Sequence, residues 1–119
     1  MKSTGRQFLE KTDGGLEIFR RYLSHEFNLN EPVIVDDMRF TVTWNSRYEN
    51  YAIYIDEKVG NKWENLHRYN AVWFVKEKFD ITEAEVYQKI DREMGLGLLN
   101  PVIKKDENHL VSNPLGLIL

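Results

Sequence analysis

In two stretches, residues 39–44 and 51–55, the large apolar side chains read with a period of two, whereas on either side they recur every three or four. No other feature limits so sharply what the chain can fold into. In Arg39-Phe40-Thr41-Val42-Thr43-Trp44, the side chains of Phe40, Val42 and Trp44 point one way and those of Arg39, Thr41 and Thr43 the other. That alternation defines a half-buried strand. Asn45-Ser46-Arg47-Tyr48-Glu49-Asn50 is a polar connection of hairpin type. Tyr51-Ala52-Ile53-Tyr54-Ile55 is a second strand with Tyr51, Ile53 and Ile55 on one face. Asp56-Glu57-Lys58-Val59-Gly60-Asn61 reads as the next turn, and a weaker third strand follows over Lys62 to Arg68, anchored by Trp63. Strands in this order form an antiparallel meander, and its apolar face needs a cover.

The flanking segments supply that cover. Ser3 or Thr4 can cap a short helical turn carrying Phe8 and Leu9. Thr12 and Asp13 are both good N-cap residues for a helix over about residues 14–24, where Leu16, Phe19 and Leu23 share a face. A loop through Asn28-Leu29-Asn30-Glu31-Pro32 follows, since Pro32 cannot sit inside a central strand. After the sheet, Asn70 can cap a helix bearing Ala71, Val72, Phe74, Val75 and Phe79. Thr82 and Glu85 have the spacing of a capping box, with Ile81 and Val86 placed as a hydrophobic staple. Val86, Ile90 and Met94 continue one face, and Gly95 is suited to a left-handed helix end.

The expected fold class is therefore α+β. A small antiparallel sheet of three or more strands packs against two C-terminal helices, 70–79 and 83–94, and an N-terminal helix. Residues 1–98 form a single domain, and 99–119 form a C-terminal extension broken by Pro101 and Pro114. The apolar end of that extension has two readings. It folds back onto the domain, or Leu115, Leu117, Ile118 and Leu119 dock a partner or a second copy.

Several function classes lack their residues. The chain contains no cysteine, so disulfides, thiolate zinc sites and cysteine nucleophiles are excluded. His25, His67 and His109 lie some forty residues apart, with no pair spaced as ligands on one helix face. Asp36-Asp37 precedes a strand, where adjacent side chains diverge, so a turn is the better reading than a metal or acid pair. No nucleophile elbow or phosphate loop is present. No enzyme activity, catalytic residue, metal or cofactor is expected. No secretory signal or stretch able to span a bilayer is visible, so the expectation is a cytoplasmic, soluble domain with no membrane partner.

Nucleic acid is the ligand class with most support. Trp44, Tyr48, Tyr51, Tyr54, Trp63 and Tyr69 interleave with Arg39, Arg47, Lys58, Lys62 and Arg68. Aromatics on an open sheet stack bases, and adjacent cations track the backbone. The alternative is that Trp44, Tyr51 and Trp63 are inward core residues, which the alternation supports for Trp44. Glu49, Asp56, Glu57 and Glu64 nearly balance the charge of the stretch, and the net charge of the chain is −3. Any binding would therefore depend on a local patch.

The order of elements from Asn30 to Leu96 resembles the zinc-ribbon domain at the N-terminus of bacterial-type DNA primases, including the shortened forms of phages and mobile elements. Phe40-Thr41-Val42 is similar to the first strand of that family, and Tyr51-Ala52-Ile53-Tyr54 to the second. Asn70 to Phe79 looks like its linker and helix, and Ile81 to Ile90 like its capped closing helix. Thr12-Asp13-Gly14-Gly15-Leu16 is similar to the opening of the mobile-element versions. The ligand positions of the family, around Asn30 to Val33 and Ile53 to Glu57, hold no cysteine. The resemblance thus implies a primase-like ribbon without metal and without a polymerase region. What it implies in function is a non-catalytic accessory domain of a phage or mobile element that binds DNA, or a replication protein on DNA. Arg39, Arg47, Tyr48, Tyr54 and Arg68 are the solvent-side contact candidates. The alternative is a protein–protein interaction module, an inhibitor or structural component, that uses the apolar tail.

Overall fold

The computed structural model describes residues 2–99. Two helices, α1 (Thr4–Lys11) and α2 (Leu16–Tyr22), come first. Four strands follow: β1 (Val33–Val35), β2 (Met38–Asn45), β3 (Asn50–Val59) and β4 (Lys62–Asn70). Helices α3 (Ala71–Phe79) and α4 (Glu83–Met94) close the fold. The strands form one antiparallel sheet in the order β1-β2-β3-β4, so the domain is the expected α+β meander with helices.

All four helices contribute to the core on one side of that sheet. Phe40, Val42, Ile53 and Ile55 form its inner face and are buried. They join Phe8 and Leu9 of α1, Ile18 and Phe19 of α2, Phe74 and Val75 of α3, and Val86 and Ile90 of α4 in one cluster. The rings of Phe19 and Phe74 lie 5.5 Å apart between α2 and α3. Burying each such side chain contributes roughly 1.5–3 kcal/mol.

Local chemistry accounts for most of the helix ends. Ser3 Oγ accepts from the Arg6 N–H at 3.1 Å and caps α1. Asn70 Oδ1 accepts from the Trp73 N–H at 2.8 Å and caps α3. Asn70 is also the last residue of β4, so strand passes into helix with no loop between. Thr82 and Glu85 form a reciprocal capping box at α4, and Gly95 ends that helix at φ 65°. Such a left-handed end suits glycine, which has no Cβ to clash with the carbonyl.

Four features differ from the sequence-based expectation. The N-terminal helix begins at Leu16 and ends at Tyr22, and neither Thr12 nor Asp13 caps it. Thr12 is fully buried, and its hydroxyl donates to the Phe8 carbonyl at 2.7 Å, so it closes α1 instead. Gly15 stands at the N-cap position of α2, at φ 95°, with no side-chain cap. Second, β3 does not turn at Asp56 but runs on to Val59, because Arg39 and Asn65 satisfy the Asp56 carboxylate within the sheet. Third, Val33–Val35 adds an edge strand just after Pro32, and Asp36-Asp37 makes the tight turn into β2. Fourth, Trp44 lies on the inner side by alternation yet is 49% exposed. It sits at the hairpin end of the sheet, edge-on to Tyr51 with ring centroids 5.0 Å apart.

A polar tie joins the two ends of the helical layer. Tyr22 Oη donates to Glu93 Oε1 at 2.8 Å, and Lys89 Nζ lies 2.9 Å from Glu93 Oε2. Burial pushes the Glu93 carboxyl up, but the hydrogen bonds from Lys89 and Tyr22, with the charges of Lys89 and Arg21, outweigh it and hold the group below the usual carboxylate range. A carboxyl lowered on folding stabilises the fold above its unfolded value of about 4.3, and that stabilisation disappears as pH falls through the lower folded value. We therefore predict that Glu93→Gln lowers the urea midpoint at pH about 6. The gap to wild type should narrow as pH falls below the unfolded value of about 4.3. A gap that is constant over that range would refute the linkage.

Candidate nucleic-acid interface

The outer face of the sheet is the side away from the core cluster. The register defines its rows. Ile34, Arg39, Asp56 and Asn65 lie across all four strands, followed by Thr41, Tyr54 and Arg68, then Thr43, Ala52 and Asn70. None of these residues belongs to the core cluster. Tyr54 and Arg68 are direct cross-strand partners, the phenol half-buried and the guanidinium exposed.

Of the contact candidates, Arg39, Tyr54 and Arg68 share this face. Arg39 differs from the other two because its charge is already engaged. Its Nη2 lies 2.9 Å from Asp56 Oδ2, and its Nε donates to the same oxygen at 3.0 Å. Asn65 Nδ2 donates to the other carboxylate oxygen at 3.1 Å, and the guanidinium covers the Trp63 ring at 4.8 Å from its centroid. Arg39 thus anchors β2 to β3 and β4. Lys58 and Arg68 remain as exposed cations on the face, with no ion pair among the described residues.

Arg47 and Tyr48 lie elsewhere, in the exposed turn between β2 and β3. The Arg47 guanidinium sits 5.4 Å from the centroid of the Tyr48 ring. Asn45 Oδ1 accepts from the Arg47 N–H at 3.0 Å and helps shape the turn. Arg6 of α1 grips the tip from below, Nη1 donating to the Tyr48 carbonyl and Nη2 to that of Glu49, both at 3.0 Å. The five candidates therefore form two groups, three on the open face and two at the hairpin tip. Leu115, Leu117, Ile118 and Leu119 lie outside the described residues.

An open cleft of about 790 Å³ lies between the tip and the helices. Arg6, Tyr48, Asn70, Trp73, Glu83 and Tyr87 line it. Tyr87 Oη donates to Glu83 Oε2 at 2.9 Å. Burial first, then that hydrogen bond, pushes its pKa up to about 12, so the phenol keeps its proton at neutral pH. Trp73 is 45% exposed, with Lys76 Nζ 4.7 Å from its ring centroid. The sequence gives no signal for this cleft, since its walls come from α1, the hairpin and the first turns of α3 and α4. Among the described residues, no group of three or more His, Cys, Asp or Glu side chains is placed to hold a metal ion. Nor is any helix among them long and apolar enough to cross a membrane.

No family model, curated protein or solved structure matches the chain.

Proposed function

We propose that this chain is a non-catalytic accessory domain that binds single-stranded DNA on the outer face of its sheet, in the manner of a primase-like ribbon from a phage or mobile element that has lost its metal. The observation that carries the reading is the cross-strand pair of Tyr54 and Arg68 on the face turned away from the core cluster among the described residues. An aromatic beside an unpaired cation offers a base a stacking platform and its phosphate a counter-charge. Lys58 extends the positive side of the face, while the Asp56 carboxylate is neutralised by Arg39 and does not repel a phosphate strongly. Single strands suit this surface better than duplex, since only unpaired bases present a ring face to Tyr54. A replication protein already bound to such a strand would meet the exposed hairpin tip carrying Arg47 and Tyr48.

The test is fluorescence anisotropy of a labelled thymidine oligonucleotide at low salt, with duplex of the same length for comparison. Tyr54→Ala and Arg68→Ala are each expected to weaken binding about tenfold, the loss of roughly one stacked base or one charge contact. Arg39→Ala should instead lower stability more than affinity, because its charge is committed to Asp56. No binding at low salt, or binding that Tyr54→Ala and Arg68→Ala leave unchanged, would reject the assignment.

A further inference from the structure

The sheet has two edges of very different character. On one side lies β1, three residues long and immediately preceded by Pro32. On the other side lies β4, nine residues long and paired only to β3 among the described residues. Residues 64–68 of β4 are all exposed, and Leu66 in their centre is 42% exposed. An edge of this length leaves a row of backbone N–H and C=O groups that another strand can pair with.

The side chains of β4 indicate what that strand is. The register with β3 slips by one residue at Ile55/Asp56, so Leu66 is an extra residue and the facing of β4 reverses across it. Tyr69 and His67 lie on the inner side, and so do Glu64 and Lys62 beyond the bulge. Arg68, Asn65 and Trp63 lie on the outer side. Consider a second copy of β4 laid antiparallel, with the two-fold axis between Asn65 and Leu66. Trp63 then faces Arg68 across the outer side, and Glu64 faces His67 and Lys62 faces Tyr69 across the inner side. Every facing pair outside the bulge lies on a common side, and each occurs twice. Two pairs set a cation against an aromatic ring, and one sets a carboxylate against an imidazole that can donate an N–H to it. Sliding the strand by one residue puts inner side chains opposite outer ones. Sliding it by two in either direction loses the facing of Glu64 on His67 and keeps neither cation–ring pair. A bulge ordinarily blunts an edge, but here the two bulges would meet at the axis, where each is accommodated by the other.

We infer that β4 is a self-association edge, and that two copies of the chain join through it into one continuous eight-stranded antiparallel sheet. The inference does not depend on DNA binding, although the dimer would bring the two outer faces side by side. The occupant is a second copy because the strand is complementary to itself in one register, in charge and in facing.

Sedimentation velocity on the full chain without nucleic acid, from about 5 μM to about 500 μM, tests it. The expected result is a concentration-dependent rise from the monomer mass of 14.2 kDa towards twice that value. Glu64→Lys should raise the dissociation constant about tenfold, since it removes the carboxylate that accepts from His67 at two symmetric places. The double variant Glu64→Lys/His67→Glu exchanges the partners and should return the constant to within about threefold of wild type. Both positions are exposed, and circular dichroism checks that the variants fold. Three outcomes would overturn the inference. The chain could stay monomeric throughout. A dimer could form that Glu64→Lys leaves unchanged. Or the double variant could fail to recover.

Discussion

Phe74→Ala is expected to destabilise the domain by about 3–5 kcal/mol, the range for removing a fully buried phenylalanine. Phe74 is at 0% exposure and belongs to the same core cluster as residues from all three other helices and from the sheet. Its ring packs against Phe19 at 5.5 Å. Both contributions, transfer from water and the cavity left behind, act at this position. Alanine cannot collapse the gap, because the neighbours belong to separate elements held by their own hydrogen bonds. A domain of this size is stable by roughly 5–15 kcal/mol, so the variant would lose a large share of its margin. Urea denaturation followed by tryptophan fluorescence reads the effect, with the midpoint moving and the slope unchanged if the denatured state is unaltered. A loss below about 1 kcal/mol would mean that α2 and α3 do not meet as described.

Gly15→Ala is the second large effect, and it acts by adding an atom. Gly15 sits at φ 95°, a conformation that L side chains rarely adopt. A Cβ built there would lie 2.8 Å from the Ala71 Cβ and 3.0 Å from Leu9 Cδ2. Ala71 opens α3 and is fully buried, so it has no room to withdraw. Backbone strain of roughly 1–2 kcal/mol and overpacking of roughly 1–3 kcal/mol combine to an expected loss of about 2–5 kcal/mol. Gly60→Ala is the matched control. Gly60 takes φ 65° in the turn between β3 and β4, and a Cβ there meets nothing within 4 Å. It should cost about 1 kcal/mol, from the backbone alone. Equal losses at the two positions would show that the close approach of α1, α2 and α3 is not the cause.

The same glycine illustrates what the sequence conveys and what it hides. Gly14 and Gly15 open the helix expected over about residues 14–24, and in the fold they lie just ahead of it. Only the fold shows that the backbone must pass within contact distance of a helix that begins at residue 71. Likewise, the Thr82–Glu85 box, the Asn70 cap and the Gly95 end were legible because each is satisfied within a few residues. The alternation in β2 correctly gave the directions of Phe40, Val42 and Trp44. It could not show that the helical cover stops short of Trp44, since facing is local and cover is not. Asp56 resembled a turn residue because its partner Arg39 is seventeen positions away. The three residues of β1 are too few to display a period, so only their pairing with β2 reveals them. The two-group split of the contact residues has the same origin. Arg39, Tyr54 and Arg68 meet through strand register, whereas Arg47 and Tyr48 are placed by the hairpin turn.

The order of the strands has a kinetic consequence. Each strand pairs with its neighbour in sequence, across turns of a few residues, so closing the meander costs little chain entropy. The contacts that fasten the N-terminal helices are of another kind. Arg6 reaches the Tyr48 and Glu49 carbonyls from 42 and 43 residues away, and Tyr22 reaches Glu93 across 71. By loop length alone, the sheet and the helix that continues from β4 can assemble first, with α1 and α2 docking afterwards onto a surface already formed. Loop length thus sets α1 and α2 apart as the elements whose place in the core depends on the longest-range contacts of the fold.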